Sequence, residues 1–593
     1  MHVDVGESAG SHPDLRIPVA VERLTLGRFV DDLAARFGGR EAVVSGETRW
    51  TFADLRREVR AAARGFVAAG VTKGEHVAVL AGSSSEWVSA VFGAAAIGAV
   101  VIPISSYATT EERHEVLADC DAALLVCEER LQGNDYVADL LDAVPALTSV
   151  EPGDLLVEAF PHLRRVVTFA DASEAAGVEP WHAFLARGQG VSDALLDGLV
   201  DEVDPEDDAL ILYTSGSTGA PKAVVHRHRA PVLQSYRLGE LTRTTPDDRV
   251  FSALPLFWCA GFAMGFGGPL AMGAAVVLQE VVEPETTLQL LEQERITTLH
   301  APPHVAARLA EHPDLARRDL SALVRLSARS PLHAALGRTA DTWDPASAYG
   351  MSECFTVVTG LPADEPASVR HGHNGPALPG VDLRILDPVT GDVLPTGESG
   401  EIVVRGPSLM RGYYHQPPEA AFDAEGFFHT RDLGHLDRAG MLHWDGRLTR
   451  MIRSRGVNVA PVEIEEILGR WGRLRLVRVL GVPHPTHGDA VIACVAPQPD
   501  DPLQEDDVLE YLRGRLASYK VPHRALLLDP SAFGLTDSDK VGLASVEASA
   551  RRALLDSADL PADWREHLND YRPDDSCTRV TPPENPTATQ EHR

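Results

Sequence analysis

The residues with the clearest chemical potential lie between 211 and 222. Ile211, Leu212 and Tyr213 form an apolar, β-favouring run that opens into Thr214, Ser215, Gly216, Ser217, Thr218, Gly219, Ala220, Pro221 and Lys222. Glycines let successive backbone N–H groups turn toward one anion. The hydroxyls add donors, and the lysine adds a compact, mobile positive charge. A strand running into such a loop suits a polyphosphate. The spacing is not that of the Walker loop, which needs Gly, four residues and then Gly-Lys-Ser/Thr. A Ser/Gly-rich surface turn is the plainer alternative, and the fixed order of strand, glycines and Pro-Lys argues against it.

Charge sharpens the picture. The 593-residue chain carries a formal net charge of −32, so neither nucleic acid nor an anionic membrane surface is an expected partner. An anionic substrate must be gathered by local cations. Of 54 basic residues, four are lysines: Lys73, Lys222, Lys520 and Lys540. Where arginine serves almost everywhere, a retained lysine marks a place for a compact ammonium; chance retention accounts for Lys73 and extends to Lys520. Cysteines at 120, 127, 259, 354, 494 and 577 show no Cys-x-x-Cys or metal spacing, which fits a reduced, cytoplasmic protein. The N-terminus lacks a basic-then-apolar signal. The apolar run 88–102 is short for a membrane span and contains Gly93 and Gly98, so helix then strand in a packed core is expected instead.

The elements that must position these residues alternate. The pattern predicts a helix over 24–37, a hairpin over 40–51 turning at Gly46, and a helix from Phe52 with apolar residues at 55, 59, 63 and 66. A strand (76–80), a helix (84–97) and a strand (99–102) follow, which implies a parallel, doubly wound layer. The alternation resumes after the loop with strands near 249–254, 275–278 and 298–301 and a helix over 286–294. From 381 the texture changes to short strands and Gly/Pro turns. A block beyond about 450 has helices over 461–468 and 505–516 and strands near 477–482 and 490–495. The expected division is a leader over 1–20, a large domain over 21–447, a small domain over 448–556, and a disordered tail over 557–593.

The loop at 214–222 is similar to the phosphate loop of the acyl-adenylate-forming superfamily, which includes acyl-CoA synthetases, peptide-synthetase adenylation domains and luciferases. The resemblance extends over roughly residues 21–555. Tyr349, Gly350, Met351, Ser352 and Glu353 match the second motif, with Ala348 where another glycine is usual. The resemblance implies that Tyr349 stacks on adenine, Ser352 bonds the α-phosphate and Glu353 holds Mg²⁺, for which a carboxylate is apt. The stretch 429–434 resembles a Thr-Gly-Asp motif, so Asp432 would bind the ribose hydroxyls, and Arg431 stands in the glycine position. Arg447 would reach ribose or phosphate, and Thr449 aligns with the hinge residue, usually Asp or Lys. Lys540 matches the catalytic lysine, with Asp539 replacing its preceding glycine. Trp258 stands where acyl-CoA synthetases usually carry histidine. Arg329 lies in a turn that normally floors the adenine and acid pocket; it would pair with an anionic substrate group or lie on the surface of an arginine-rich chain.

The resemblance implies an α/β fold with a large N-terminal domain of doubly wound parallel layers and a small, mobile C-terminal α+β domain. It also implies a two-step reaction. A small-molecule acid and ATP, with Mg²⁺, give an acyl-adenylate and pyrophosphate, and a thiol, most simply that of CoA, displaces AMP. Lys222, Glu353 and Lys540 would be the catalytic residues. Other acceptors remain open: a separate carrier protein, an amine, or chemistry on an unusual anion such as nitrite for N–N bond formation. A nucleotide-binding pseudoenzyme is suggested by the departures at Arg329, Arg431, Thr449 and Asp539, and opposed by the retained Lys222, Glu353, Asp432 and Lys540.

Overall fold

A computed structural model of the chain describes residues 20–173, 175–214, 222–388, 390–447, 452–455, 457–459, 461–486, 488–499, 501–533 and 543–570. In the strand His76–Leu80, Val77 and Val79 join one apolar cluster while Ala78 and Leu80 join another. Burial on both faces is the condition of a central parallel strand. This strand sits in an eight-stranded sheet ordered Gly412–Tyr413, Lys222–Arg227, Asp208–Thr214, Val100–Ile104, His76–Leu80, Leu124–Cys127, Arg165–Thr168 and Val178–Pro180. From Asp208–Thr214 onward the pairings are parallel. Lys222–Arg227 instead returns antiparallel beside Asp208–Thr214.

A second sheet of five strands runs Thr298–His300, Arg249–Ser252, Ala275–Leu278, Glu41–Ser45 and Thr48–Thr51, parallel except for the last. The helices Leu26–Phe37, Phe52–Ala68 and Ser85–Ala96 fill the space between the sheets. One continuous cluster joins their Phe29, Phe66 and Trp87 to Val43 and Val276 of the smaller sheet and Val77 and Val126 of the larger. The outer faces have their own clusters. The result is the doubly wound α/β arrangement. Gly93 permits its inner packing: a Cβ there would lie 2.7 Å from the Ala62 Cβ and 2.9 Å from the Ala63 nitrogen. The apolar run from 88 is helix then strand as expected, and among the described residues no helix is long and apolar enough to cross a membrane.

The change of texture after 381 is a four-stranded antiparallel sheet, Asp382–Leu386, Gly400–Arg405, Phe428–Leu436 and Leu442–Arg447. The smaller C-terminal domain is built on the long pair Leu474–His484 and Gly488–Pro497. Helices Pro461–Gly469 and Glu505–Arg513 cover one face, and helices Leu543–Asp556 and Ala562–Asp570 cover the other. The last helix corrects the expectation of disorder from 557. Trp564 and Leu568, four residues apart on one helical face, are buried, and the Trp564 indole N–H donates to the Pro483 carbonyl at 2.8 Å. A short, mostly polar segment hid this two-residue anchor.

Candidate active site

Thr214 and Lys222 end neighbouring antiparallel strands and pair with each other in register. The Thr214 hydroxyl donates to the Lys222 carbonyl at 3.4 Å. The pairing therefore brings together the two ends of the segment expected to bind phosphate; its residues Ser215, Gly216, Ser217, Thr218 and Gly219 lie outside the described residues. Period-two alternation puts Lys222, Val224 and His226 on one face of their strand. Val224 packs there with Tyr349, Val358 and Met410, so this face is turned toward the second motif.

That motif is the strand Ala348–Met351 followed by a single turn, Ser352–Cys354. Gly350 is required by space, since a Cβ there would meet the Thr356 carbonyl oxygen at 1.7 Å. The chain then passes through two left-handed residues, Phe355 at φ 51° and Thr356 at φ 116°. Such conformations cost on the order of 1–3 kcal/mol each and persist where the surroundings over-determine them. Here the turn's carbonyls are held by buried side chains. The His226 Nε2–H donates to the Ser352 carbonyl at 2.7 Å, and the Gln234 amide donates to Cys354 at 3.0 Å and Val357 at 2.6 Å. Burial pushes the His226 imidazole down to about 4, so it is neutral with its proton on Nε2.

Glu353 faces a cleft of about 780 Å³ lined also by Thr214, Lys222, Trp258, Ser352 and Tyr413. The Tyr413 hydroxyl donates to Glu353 Oε1 at 2.9 Å, and the Lys222 ammonium stands 5.1 Å from the Tyr413 ring centroid. Burial, reinforced by the Glu353 charge, holds the Tyr413 phenol well above its usual range, so it remains a donor. Tyr413 thus couples the end of the phosphate loop to the carboxylate. A divalent cation fits this donor set: among the described residues Glu353 Oε2 accepts no hydrogen bond, and a hard oxygen beside a phosphate loop is what Mg²⁺ uses.

Tyr349 and Asp432 meet each other. The Tyr349 hydroxyl donates to Asp432 Oδ2 at 2.8 Å, and both side chains are buried behind the lining residues Ala348, Gly350, Thr430 and Arg431. Arg431 takes φ 60°, the left-handed conformation that glycine adopts without cost, so the substitution keeps this backbone shape. Its N–H donates to Glu401 Oε1 at 3.1 Å. The Arg447 backbone pairs with Asp432 across the sheet. Trp258 lines the cleft, with Tyr107 and Phe257 at 6.0 and 5.6 Å between ring centroids. Arg329 lies elsewhere: its side chain is 58 % exposed, is bound to Asp344 at 3.1 Å, and is not part of the cleft wall. Lys540 and Thr449 lie outside the described residues.

The small domain completes the wall with Val457 and Tyr519. The next residue, Lys520, bridges the domains, 3.0 Å from Glu112 of the helix Thr110–Asp119 and 2.7 Å from Glu463 of Pro461–Gly469. Tyr413, Gln234, His226, Val457 and Tyr519 were not anticipated. His226 alone carried a usable signal, its even spacing from Lys222 on one strand.

A cleft that gathers the two ends of a glycine- and hydroxyl-rich segment, a lysine and a carboxylate can hold a nucleotide's phosphates and its metal. Residues 30–414 match the AMP-binding enzyme family, and residues 463–540 match the AMP-binding enzyme C-terminal domain. The chain belongs to the AMP-binding enzyme family. Among its relatives, the putative acyl-CoA synthetase YngI of Bacillus subtilis (strain 168) is 30% identical over 87% of this chain and 95% of the relative. The indoleacetate–CoA ligase of Aromatoleum aromaticum is 31% identical over 87% of this chain and 98% of its own length. Among solved structures, the amide bond synthetase McbA from Marinactinospora thermotolerans superposes with a TM-score of 0.71 at 26% identity, covering 88% of this chain and 99% of that one. This AMP-binding family member is an AMP-forming enzyme of the acid–CoA ligase type.

Proposed function

We propose that the protein activates a carboxylic acid with MgATP as its acyl-adenylate, releases pyrophosphate, and passes the acyl group to the thiol of CoA. The observation that carries this is the line Lys222, Tyr413, Glu353 in a cleft that also offers an apolar wall of Leu238, Met264, Met351 and Val357. That wall suits an acid with an apolar tail, because it supplies contact area and no partner for a second charge.

In the first step a carboxylate oxygen forms a bond to the α-phosphorus, and the bond from that phosphorus to the bridging oxygen of pyrophosphate breaks. The loop and Lys222 hold the β- and γ-phosphates so that pyrophosphate departs in line. Mg²⁺ bound at Glu353 would offset charge on the phosphates. Ser352 is assigned to the α-phosphate, Arg447 and Asp432 to the ribose side, and Lys540 to the repulsion between carboxylate and α-phosphate, with the small domain moving about Thr449. In the second step the thiol sulfur attacks the acyl carbon and AMP leaves. An amine acceptor is the second reading, favoured by the likeness to McbA and by the aromatic Trp258 in the cleft wall.

The test is acid-dependent release of pyrophosphate and AMP across fatty, aromatic, amino and inorganic acids, followed by isolated acyl-AMP offered to CoA or to amines. Stoichiometric ADP would overturn the first step. Amide formation with no thioester would move the second step to the amine.

A further inference from the structure

His226 is buried in an apolar setting with one ring nitrogen unserved. Its Nδ1 has no hydrogen-bond partner among the described residues. The Phe355 ring packs edge-on at 4.9 Å and 87° between planes. An unpaired buried polar atom costs about 1–3 kcal/mol, and leucine in the same strand position would avoid it. What histidine supplies there is the Nε2–H bond to the Ser352 carbonyl at 2.7 Å. The same carbonyl accepts the Phe355 N–H at 3.0 Å, the bond that closes the turn, and the weakly donating Cys259 Sγ stands 3.9 Å away; His226 is thus the side chain that ties this turn-closing carbonyl to the neighbouring strand.

The Ser352 carbonyl lies in the peptide that joins it to Glu353, at the head of the turn. Three residues on, the chain is in left-handed conformations that neither phenylalanine nor a β-branched threonine favours. Gln234 fixes the far end of the turn at Cys354 and Val357. His226 fixes the near end from the strand that begins at Lys222. We infer that His226 is a positioning residue for the Glu353 carboxylate: by holding the Ser352 carbonyl it keeps the strained turn from relaxing and keeps Glu353 in register with Lys222. This rests on the reading of Glu353 as the Mg²⁺ ligand.

The test measures ATP binding to the full-length protein by calorimetry, with MgCl₂ and with EDTA, alongside kcat and KM for pyrophosphate release. His226→Leu should lose about tenfold of the affinity that Mg²⁺ adds, the worth of one well-made hydrogen bond, while ATP in EDTA binds as in the wild type. KM for MgATP should rise by the same factor, with KM for the acid unchanged. His226→Gln places an amide N–H the same number of bonds from Cβ and should restore the wild-type difference. Thr356→Gly added to His226→Leu should recover part of it, because glycine adopts the φ near 116° without cost. If His226→Leu does not fold, His226→Asn, whose amide is one bond short, must show the same loss. A Leu or Asn variant with the full Mg²⁺-dependent gain overturns the inference. A wild-type protein in which Mg²⁺ adds no affinity overturns instead the assignment of Glu353.

Discussion

Lys520→Met should reverse the sign of a second substitution, at Glu112. The ammonium lies between Glu112 and Glu463, and the three side chains are 6 %, 14 % and 11 % exposed. Burial alone would lower the Lys520 value, but Tyr519, Glu112 and Glu463 outweigh it and raise it. Stability from a raised lysine is present below its ordinary range and lost only as pH climbs through the higher folded value, while burial raises the Glu463 carboxyl despite the opposing Lys520 charge. At an effective dielectric near 20, unit charges about 3 Å apart attract by roughly 5–6 kcal/mol before desolvation. Removing one partner of a buried pair typically costs about 3–5 kcal/mol. Methionine would keep the stem's packing and leave two carboxylates facing each other, with Glu463 Oε2 already unpartnered among the described residues. Glu112→Gln alone should cost about 1–2 kcal/mol, since one amide oxygen must stand in for two carboxylate oxygens, one facing Lys520 and one facing the Thr109 N–H, while Glu463 remains. In the Lys520→Met background the same change should stabilise by a similar amount, because it removes one of two like charges. The coupling, about 2–4 kcal/mol, is read from urea unfolding of the wild type, both single variants and the double variant. Additive costs would refute the electrostatic account and leave Lys520 as packing.

Two further outcomes are expected. Burial, with Glu280 and Glu86 adding to it, pushes the Glu128 carboxyl from 4.5 up to about 8; the folded state holds that proton, so the contribution is full below about 4.5 and is lost as pH rises to and through 8. Glu128→Gln should therefore gain stability relative to wild type across that window in denaturant titrations, and a constant difference from pH 4 to 9 would contradict it. Gly350→Ala should abolish pyrophosphate release and lower the unfolding midpoint, because its Cβ would strike backbone atoms of Thr356 at 1.7 and 2.6 Å; an active, stable variant would show that the turn yields.

Much of the architecture was legible because burial on both faces writes itself as short apolar runs. His76–Leu80 and Ala275–Leu278 appear where the runs stand. Lys222 and Glu353 were legible by residue type within motifs. Tyr413 was not: it reaches Glu353 because a two-residue strand pairs with Lys222–Arg227 from nearly two hundred residues away, and pairing of so short an edge leaves no periodic trace. His226 could be placed on the face of Lys222, but its partner is a backbone carbonyl, a group common to every residue. Arg431 is the reverse case, a bulky side chain in a glycine position whose φ is nonetheless left-handed. The anchor of Trp564 and Leu568 was lost in a polar tail.

The cleft takes its walls from two bodies, with Val457 and Tyr519 supplied by the small domain and the rest by the large. Occupancy and domain docking are therefore thermodynamically linked, each raising the other by the same factor. A ligand that needs both walls, present at a hundred times its dissociation constant, adds about 2.7 kcal/mol to the docked arrangement. By reciprocity, whatever loosens the docking weakens that ligand without touching a single residue that contacts it.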